Sequence, residues 1–295
     1  MVRYYDQSIE QLRSSGNIPV VNFKIFDSIR NLKISEYVLG HIDYTNELYN
    51  QYLYNLLSLP EEKQEPFLQA IKAAEIIDNQ SLEQEDSFLI SVSMQRDREN
   101  TIDYFIRNSH PKLVKNTFIE GHKRLLKGTK SECFSNKDHR TDNDSFVGRW
   151  VNGELKIRYF SIPYTDIGEA IDQTVDFYNS DSYQEYLFLQ PQIVHGLIAC
   201  LQMFDDGNTR YARLLQNIKL FELTNKKDDF SFQSPALYGT RSYFPFRDKY
   251  RELIGHLAIE PTNEHWNEWF DFNLNRMEDQ MYFLDQKLDQ YKKMK

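Results

Sequence analysis

Helical periodicity, sustained through most long windows, is what most limits how this chain can fold. Apolar residues recur at helix-compatible intervals from Phe26 to Leu57, among them Ile34, Val38, Ile42, Leu48, Tyr52 and Leu56. Pro60-Glu61-Glu62-Lys63 then reads as a helix start, with proline in the first turn and acids behind it. Further helices are expected around 64–78, 98–108 and 112–127, the last closed by Gly128, and again over 165–179, 183–203 and 208–224. After a polar break at 224–229, Trp266, Trp269, Phe270, Phe272 and Leu274 pack a dense apolar face before a charged tail. With only 11 Gly and 9 Pro in 295 residues, little interrupts this pattern.

One segment departs from it. Asn152-Gly153 lies between flanks of alternating apolar residues, the strongest hairpin signal a short sequence carries, and Pro163 closes the pair. Residues 129–145 are polar, have little periodicity and read as an exposed loop. The expected class is mainly α, a helical bundle with one β-hairpin. The expected organisation is an N-terminal helical region over 1–84, a core carrying the hairpin over 85–225, and a C-terminal helical region over 226–295 packed on that core.

Composition narrows the function. Nineteen Tyr and 20 Phe can fill a sizeable core, yet no run of about 18 uncharged apolar residues appears, so no membrane span is expected. The first six residues lack the basic and apolar blocks of a secretory signal, and two cysteines, Cys133 and Cys200, make no disulfide framework. A reducing cytoplasm is the expected location. A net charge of −9 argues against a protein whose main work is gripping nucleic acid, although a local basic site can exist inside an acidic chain. No pair among His41, His110, His139, His256 and His265 has metal-ligand spacing with a supporting Cys or carboxylate, so zinc is not expected.

The chemistry concentrates at Asp206-Gly207-Asn208, a turn between two helical segments. Such a turn offers free backbone N–H groups at the positive pole of the second helix, which suits an anion. Arg210 and Arg213, three residues apart, would share a face of its first turn, and Asp206 could hold Mg²⁺ against the same phosphates. A helix N-cap with surface charges is the plainer reading of the same residues.

The wider stretch 194–215 resembles the signature of the Fic family, H-P-F-x-D/E-G-N-G-R-x-x-R, with His195 where members often carry a histidine seven residues before the motif histidine. Segments 118–128, 148–163 and 266–272 resemble the family's early helix, its hairpin flap and its closing helix, so the resemblance spans about residues 85–285. It implies a Fic-like helical bundle with the flap beside the motif loop, and an ancestry in AMP transfer from ATP to Ser, Thr or Tyr hydroxyls. Carried over, Asp206 is the Mg²⁺ ligand, Gly207, Asn208 and Thr209 form the phosphate cradle, Arg210 and Arg213 clamp charge, and Phe204 anchors the loop. A target protein would dock at the hairpin, 150–162.

The departures matter as much. Gln202 stands at the position of the catalytic histidine, and an amide cannot accept a proton near neutral pH. Met203 replaces proline, a tolerable packing change, and Thr209 replaces the second motif glycine, where a β-branch could obstruct phosphate and restricts the backbone. His195, about 10 Å along a continuous helix from position 202, and His122 read as buried structural histidines. Ser35, Leu39 and Gly40 match the frame of the family's inhibitory helix, S/T-x-x-x-E-G/N, with leucine in place of its glutamate. Three functions stay open: a nucleotide-binding protein impaired in transfer, a transferase without a histidine base, and an interaction protein whose arginines merely pair with acids such as Asp205.

Overall fold

A computed structural model of the chain describes residues 9–81, 104, 105, 108, 112–129, 131–151, 154–224 and 239–293. Among these, ten α-helices surround a single two-stranded antiparallel hairpin, so the mainly-α expectation holds. The helices are α1 (Ile9–Ser14), α2 (Lys24–Arg30), α3 (Glu36–Leu57), α4 (Glu61–Ser81), α5 (Lys115–Leu126), α6 (Ile167–Asn179), α7 (Leu189–Leu201), α8 (Asn208–Thr224), α9 (Arg247–Ile259) and α10 (Asn263–Lys293). No helix among the described residues is long and apolar enough to cross a membrane.

The centre of the molecule is α7. Every residue from Leu189 to Leu201 is buried, which fits a helix that is apolar all round rather than on one stripe. It packs against α6, α8, α9 and α10. Gly196 permits the close approach of α10, since a Cβ there would sit 3.0 Å from the Trp266 ring. One turn away, Trp269 donates from Nε1 to the carbonyl of Gln192 at 3.0 Å. The sulfur of Cys200 is buried, and Cys133 is exposed, both as free thiols.

Along α3 the buried residues Val38, Ile42, Thr45, Tyr49, Tyr52 and Leu56 recur at alternating spacings of four and three, the seam of a helix lying along another. That partner is α10, and the contacts advance in the same direction on both. Ser35 N meets Asn267 Oδ1 at 2.8 Å, His41 bridges Asp271 and Glu278 at 2.8 Å each, and Asn55 meets Asp285 at 3.2 Å. The two helices are therefore parallel, and the packing joins the expected 1–84 region to the expected 226–295 region. The apolar spacing from Phe26 to Leu57 does not make one helix. It is broken over 31–35, where the backbone N–H groups of Lys33 and Ser35 bond to Asn263 and Asn267, and Ser35 restarts the chain as N-cap by accepting from Val38 N at 3.2 Å.

The hairpin forms where Asn152-Gly153 places it. Strand β1 (Phe146–Val151) pairs with β2 (Glu154–Phe160) down to Val151 opposite Glu154, with a bulge between Val147 and Gly148; the two turn residues lie outside the described set. Residues 19–21 add a parallel bridge to the end of β2, through Val21 N to Phe160 O at 2.9 Å and Phe160 N to Pro19 O at 2.8 Å. The expected helix over 98–108 lies almost wholly outside the described residues. The one expected over 183–203 is shorter at both ends: Tyr183 has φ +62°, α7 starts only at Leu189, and it stops at Leu201.

Candidate functional site

The turn between α7 and α8 is built by two residues in left-handed backbone conformations. Gln202 ends α7 at φ +51°, ψ +55°, and Gly207 turns the chain into α8 at φ +78°. Only glycine takes that second conformation without strain, and a Cβ at Gly207 would also lie 2.9 Å from Leu126 Cδ2. Asn208, the first residue of α8, clamps the turn from inside. Its Oδ1 accepts from Phe204 N at 3.0 Å and its Nδ2 donates to Phe204 O at 2.8 Å.

Phe204 is buried, and its ring stacks on His122 at 3.7 Å between centroids and 8° between planes. His122 Nε2 donates to the carbonyl of Asp206 at 2.8 Å, which fixes the tautomer. Burial is the main cause that lowers the imidazole to about 4; the bond to Asp206 pulls the other way, and the nearby Arg210 charge adds to the lowering. His122 is thus a neutral post under the loop.

Asp206 is where the site's donors meet. Its Oδ1 accepts from Gly207 N at 2.6 Å, and its Oδ2 accepts from Arg210 Nη2 at 3.0 Å and from Ser131 Oγ. The carboxylate is half exposed, whereas Arg210 is buried. Asp205 pairs instead with Lys137 at 3.2 Å, so the acid that meets Arg210 is Asp206 and not its neighbour. Arg213 is also buried and faces away toward α9. Its Nη1 donates to Tyr250 OH at 3.3 Å, beside a cavity of about 10 Å³ lined in part by Gln216, Tyr243 and Arg276, room for about one water. The two guanidiniums therefore bond to different partners, Asp206 in the turn and Tyr250 on α9.

Thr209 lies in the first turn of α8 and is not among the described non-glycine residues with positive φ. The helical backbone that a β-branched residue adopts readily is the one it has there. Gln202 turns its amide back into its own helix, donating from Nε2 to Ala199 O at 2.5 Å. His195 is occupied on both sides, its Nδ1 donating to Gln216 Oε1 at 2.6 Å and its Nε2 accepting from Tyr250 OH at 2.7 Å. Ser35 caps α3 and bonds to Asn267 of α10, Gly40 is exposed on α3, and Arg213 bonds to α9.

Two residues that support the loop come from 129–145, the stretch expected to be exposed. Much of it is exposed or half-buried, but Thr129, Ser131 and Arg140 are buried. Arg140, with no exposed surface, donates from Nε to Gln202 O at 2.8 Å, from Nη1 to Asp142 O at 2.6 Å, and from Nη2 to Ile162 O just beyond β2. Burial brings its guanidinium down to about 10, against the pull of Asp142 and Asp205. No periodicity marks which residue of a polar loop points inward, so no signal in the sequence singles out either one.

Chemically the site presents the N-terminus of α8, one half-exposed carboxylate beside it, and no imidazole within the turn itself. Among the described residues no group of three or more His, Cys, Asp or Glu could hold a metal unaided. A cation that takes one protein carboxylate and relies on phosphate and water for the rest fits Asp206, and Mg²⁺ has that habit.

No protein-family model and no curated protein matches the chain. Solved structures do. A Fic family protein from Desulfovibrio desulfuricans G20 aligns at TM-score 0.57 and 14% identity, over 85% of this chain and 74% of that one. A Fic domain containing signaling protein from Bacteroides thetaiotaomicron VPI-5482 aligns at TM-score 0.57 and 12% identity, over 84% of this chain and 97% of that one. The helical core, the hairpin and the loop between α7 and α8 together make this chain a protein of Fic-domain fold.

Proposed function

We propose that this Fic-fold protein binds a nucleoside triphosphate, ATP with Mg²⁺, at the turn between α7 and α8, and that it is impaired in transferring AMP to protein hydroxyls. The observation that carries the binding half is the convergence of Gly207 N and Arg210 Nη2 on one carboxylate: these donors already hold an anion. Gly207, Asn208, Thr209 and Arg210 would cradle phosphates there, with Arg213 one turn further along α8 and bonded to Tyr250. Asp206 would be the protein ligand of Mg²⁺, which when bound neutralises charge on the phosphates.

Impaired transfer follows from the proton. A hydroxyl nucleophile needs an acceptor, and the general-base contribution is typically about 10²–10⁴-fold in rate. Gln202 has none to offer, and its amide is turned toward Ala199 O. His122 is buried against Phe204 with Nε2 committed to Asp206, and His195 has both nitrogens committed. A target protein would dock at 150–162, where β1 pairs only with β2 among the described residues and can accept an added strand. The Bacteroides protein is a signaling protein, and a comparable role in regulation or signalling agrees with binding that outlives catalysis.

The Arg210–Asp206 pair also favours a second reading, in which the arginine serves only the fold. Incubation with α-labelled ATP separates active from impaired protein: no label is expected on the chain or in a lysate, and label on Gln202→His. Label on the unaltered chain that vanishes in Arg210→Gln would mean transfer survives without a histidine.

A further inference from the structure

The donors that would hold a phosphate are not waiting for one. Gly207 N and Arg210 Nη2 are both engaged by the Asp206 side chain, and Ser131 Oγ holds the same oxygen that Arg210 does. We propose that Asp206 is the cradle's own counter-anion, latched by Ser131, and that a phosphate enters the seat only as this carboxylate leaves it. The proposal rests on the phosphate-binding reading of the loop and adds a gate to it.

Three features make this a latch rather than a chance contact. First, Ser131 is itself fixed: its N–H donates to Thr129 Oγ1 at 3.1 Å, and that hydroxyl donates to Leu126 O at 2.7 Å, so the turn after α5 presents the Ser131 hydroxyl rigidly. Second, the Asp206 backbone is tied down through His122 at its carbonyl, while its side chain is 48% exposed and can rotate outward without moving the turn. Third, the two oxygens together take one amide, one guanidinium and one hydroxyl, charge-assisted bonds that an incoming phosphate must replace.

The gate gives Mg²⁺ a second role. A cation bound with the phosphates offers the carboxylate a new partner outside the seat, so metal would draw Asp206 off the donors that phosphate needs. Metal-free nucleotide meets the closed latch and binds weakly. Loss of the Asp206 charge should therefore strengthen metal-free binding, the reverse of what a residue acting only as a metal ligand would do.

The test titrates the full chain, Asp206→Asn and Ser131→Ala with ATP in the presence of a chelator, with ATP and Mg²⁺, and with inorganic tripolyphosphate. Asp206→Asn should bind metal-free ATP about ten-fold tighter than the unaltered chain, as loss of a charge-assisted bond to the latch would give. Its response to Mg²⁺ should largely disappear, and Ser131→Ala should gain about three-fold without metal, having lost a single latch bond. If the unaltered chain binds Mg-ATP but neither variant gains metal-free affinity, the latch is wrong and the nucleotide reading stands. If tripolyphosphate binds Asp206→Asn more tightly while ATP binds no form, the latch stands and the nucleotide reading falls. If no form binds either probe, both fall. Ser131→Ala removes one hydroxyl only, so it decides the matter should Asp206→Asn not fold.

Discussion

The guanidinium of Arg140 donates from Nε to the carbonyl of Gln202 at 2.8 Å, and the same side chain reaches Ile162 O at the end of the hairpin. One buried cation thus ties the exit of β2 to the residue that ends α7 in a left-handed conformation. Arg140→Met should leave the carbonyls of Gln202, Asp142 and Ile162 without a donor, at a cost of about 3–5 kcal/mol. Arg140→Lys should recover only part of this, because a point charge cannot serve three carbonyls as a planar fork does. Urea unfolding midpoints of the three proteins measure both effects.

His122 predicts how stability responds to acid. Its imidazole is lowered from an ordinary 6.5 to about 4, so between those values the unfolded chain binds a proton that the folded chain does not. The contribution is complete above pH 6.5 and is lost as pH falls toward 4, for a total of about 3 kcal/mol. Carboxylates add their own acid dependence, so the comparison is with His122→Gln, which should show a shallower fall across that window. Equal slopes would show that His122 is not held neutral in the folded protein.

Gly207→Ala should lower stability by about 1–3 kcal/mol, combining a left-handed residue with the contact to Leu126 Cδ2. It should also abolish nucleotide binding, since the turn cannot keep Asp206 and the first amide of α8 in place. An alanine variant that binds as well as the unaltered chain would mean the seat does not depend on that turn.

His195→Leu separates a structural histidine from a catalytic one. It removes the imidazole that Gln216 Oε1 and Tyr250 OH both bond, while Tyr250 OH keeps Arg213, which should cost about 1–3 kcal/mol. In the Gln202→His background, labelling per folded molecule should be unchanged. A selective loss of labelling would place His195 in the chemistry.

Legibility in the sequence divides along physical lines. The helices, the hairpin ending at Val151 and Glu154, and the buried Phe204 follow from periodicity and turn chemistry that operate within a few residues. The break over 31–35 is not legible, because Ile34 keeps the apolar spacing while Asn263 and Asn267, more than 200 residues away, take the backbone bonds. Nor is the burial of Arg140 and Ser131, since composition says that a stretch is polar and not which of its side chains turns inward. The divergence of Arg210 and Arg213 escapes for a related reason. A spacing of three predicts neighbouring side chains, but Asp206 draws one to the turn and Tyr250 the other to α9.

The most direct measurement is a calorimetric titration of the chain with ATP and Mg²⁺, repeated on Arg210→Gln with its folding checked by thermal melt. The unaltered chain should bind with a dissociation constant in the micromolar to millimolar range, and Arg210→Gln should bind at least about ten-fold more weakly, the loss of one charge-assisted contact. No heat of binding at millimolar nucleotide, or equal binding by both proteins, would contradict the assignment of this loop as a nucleotide site.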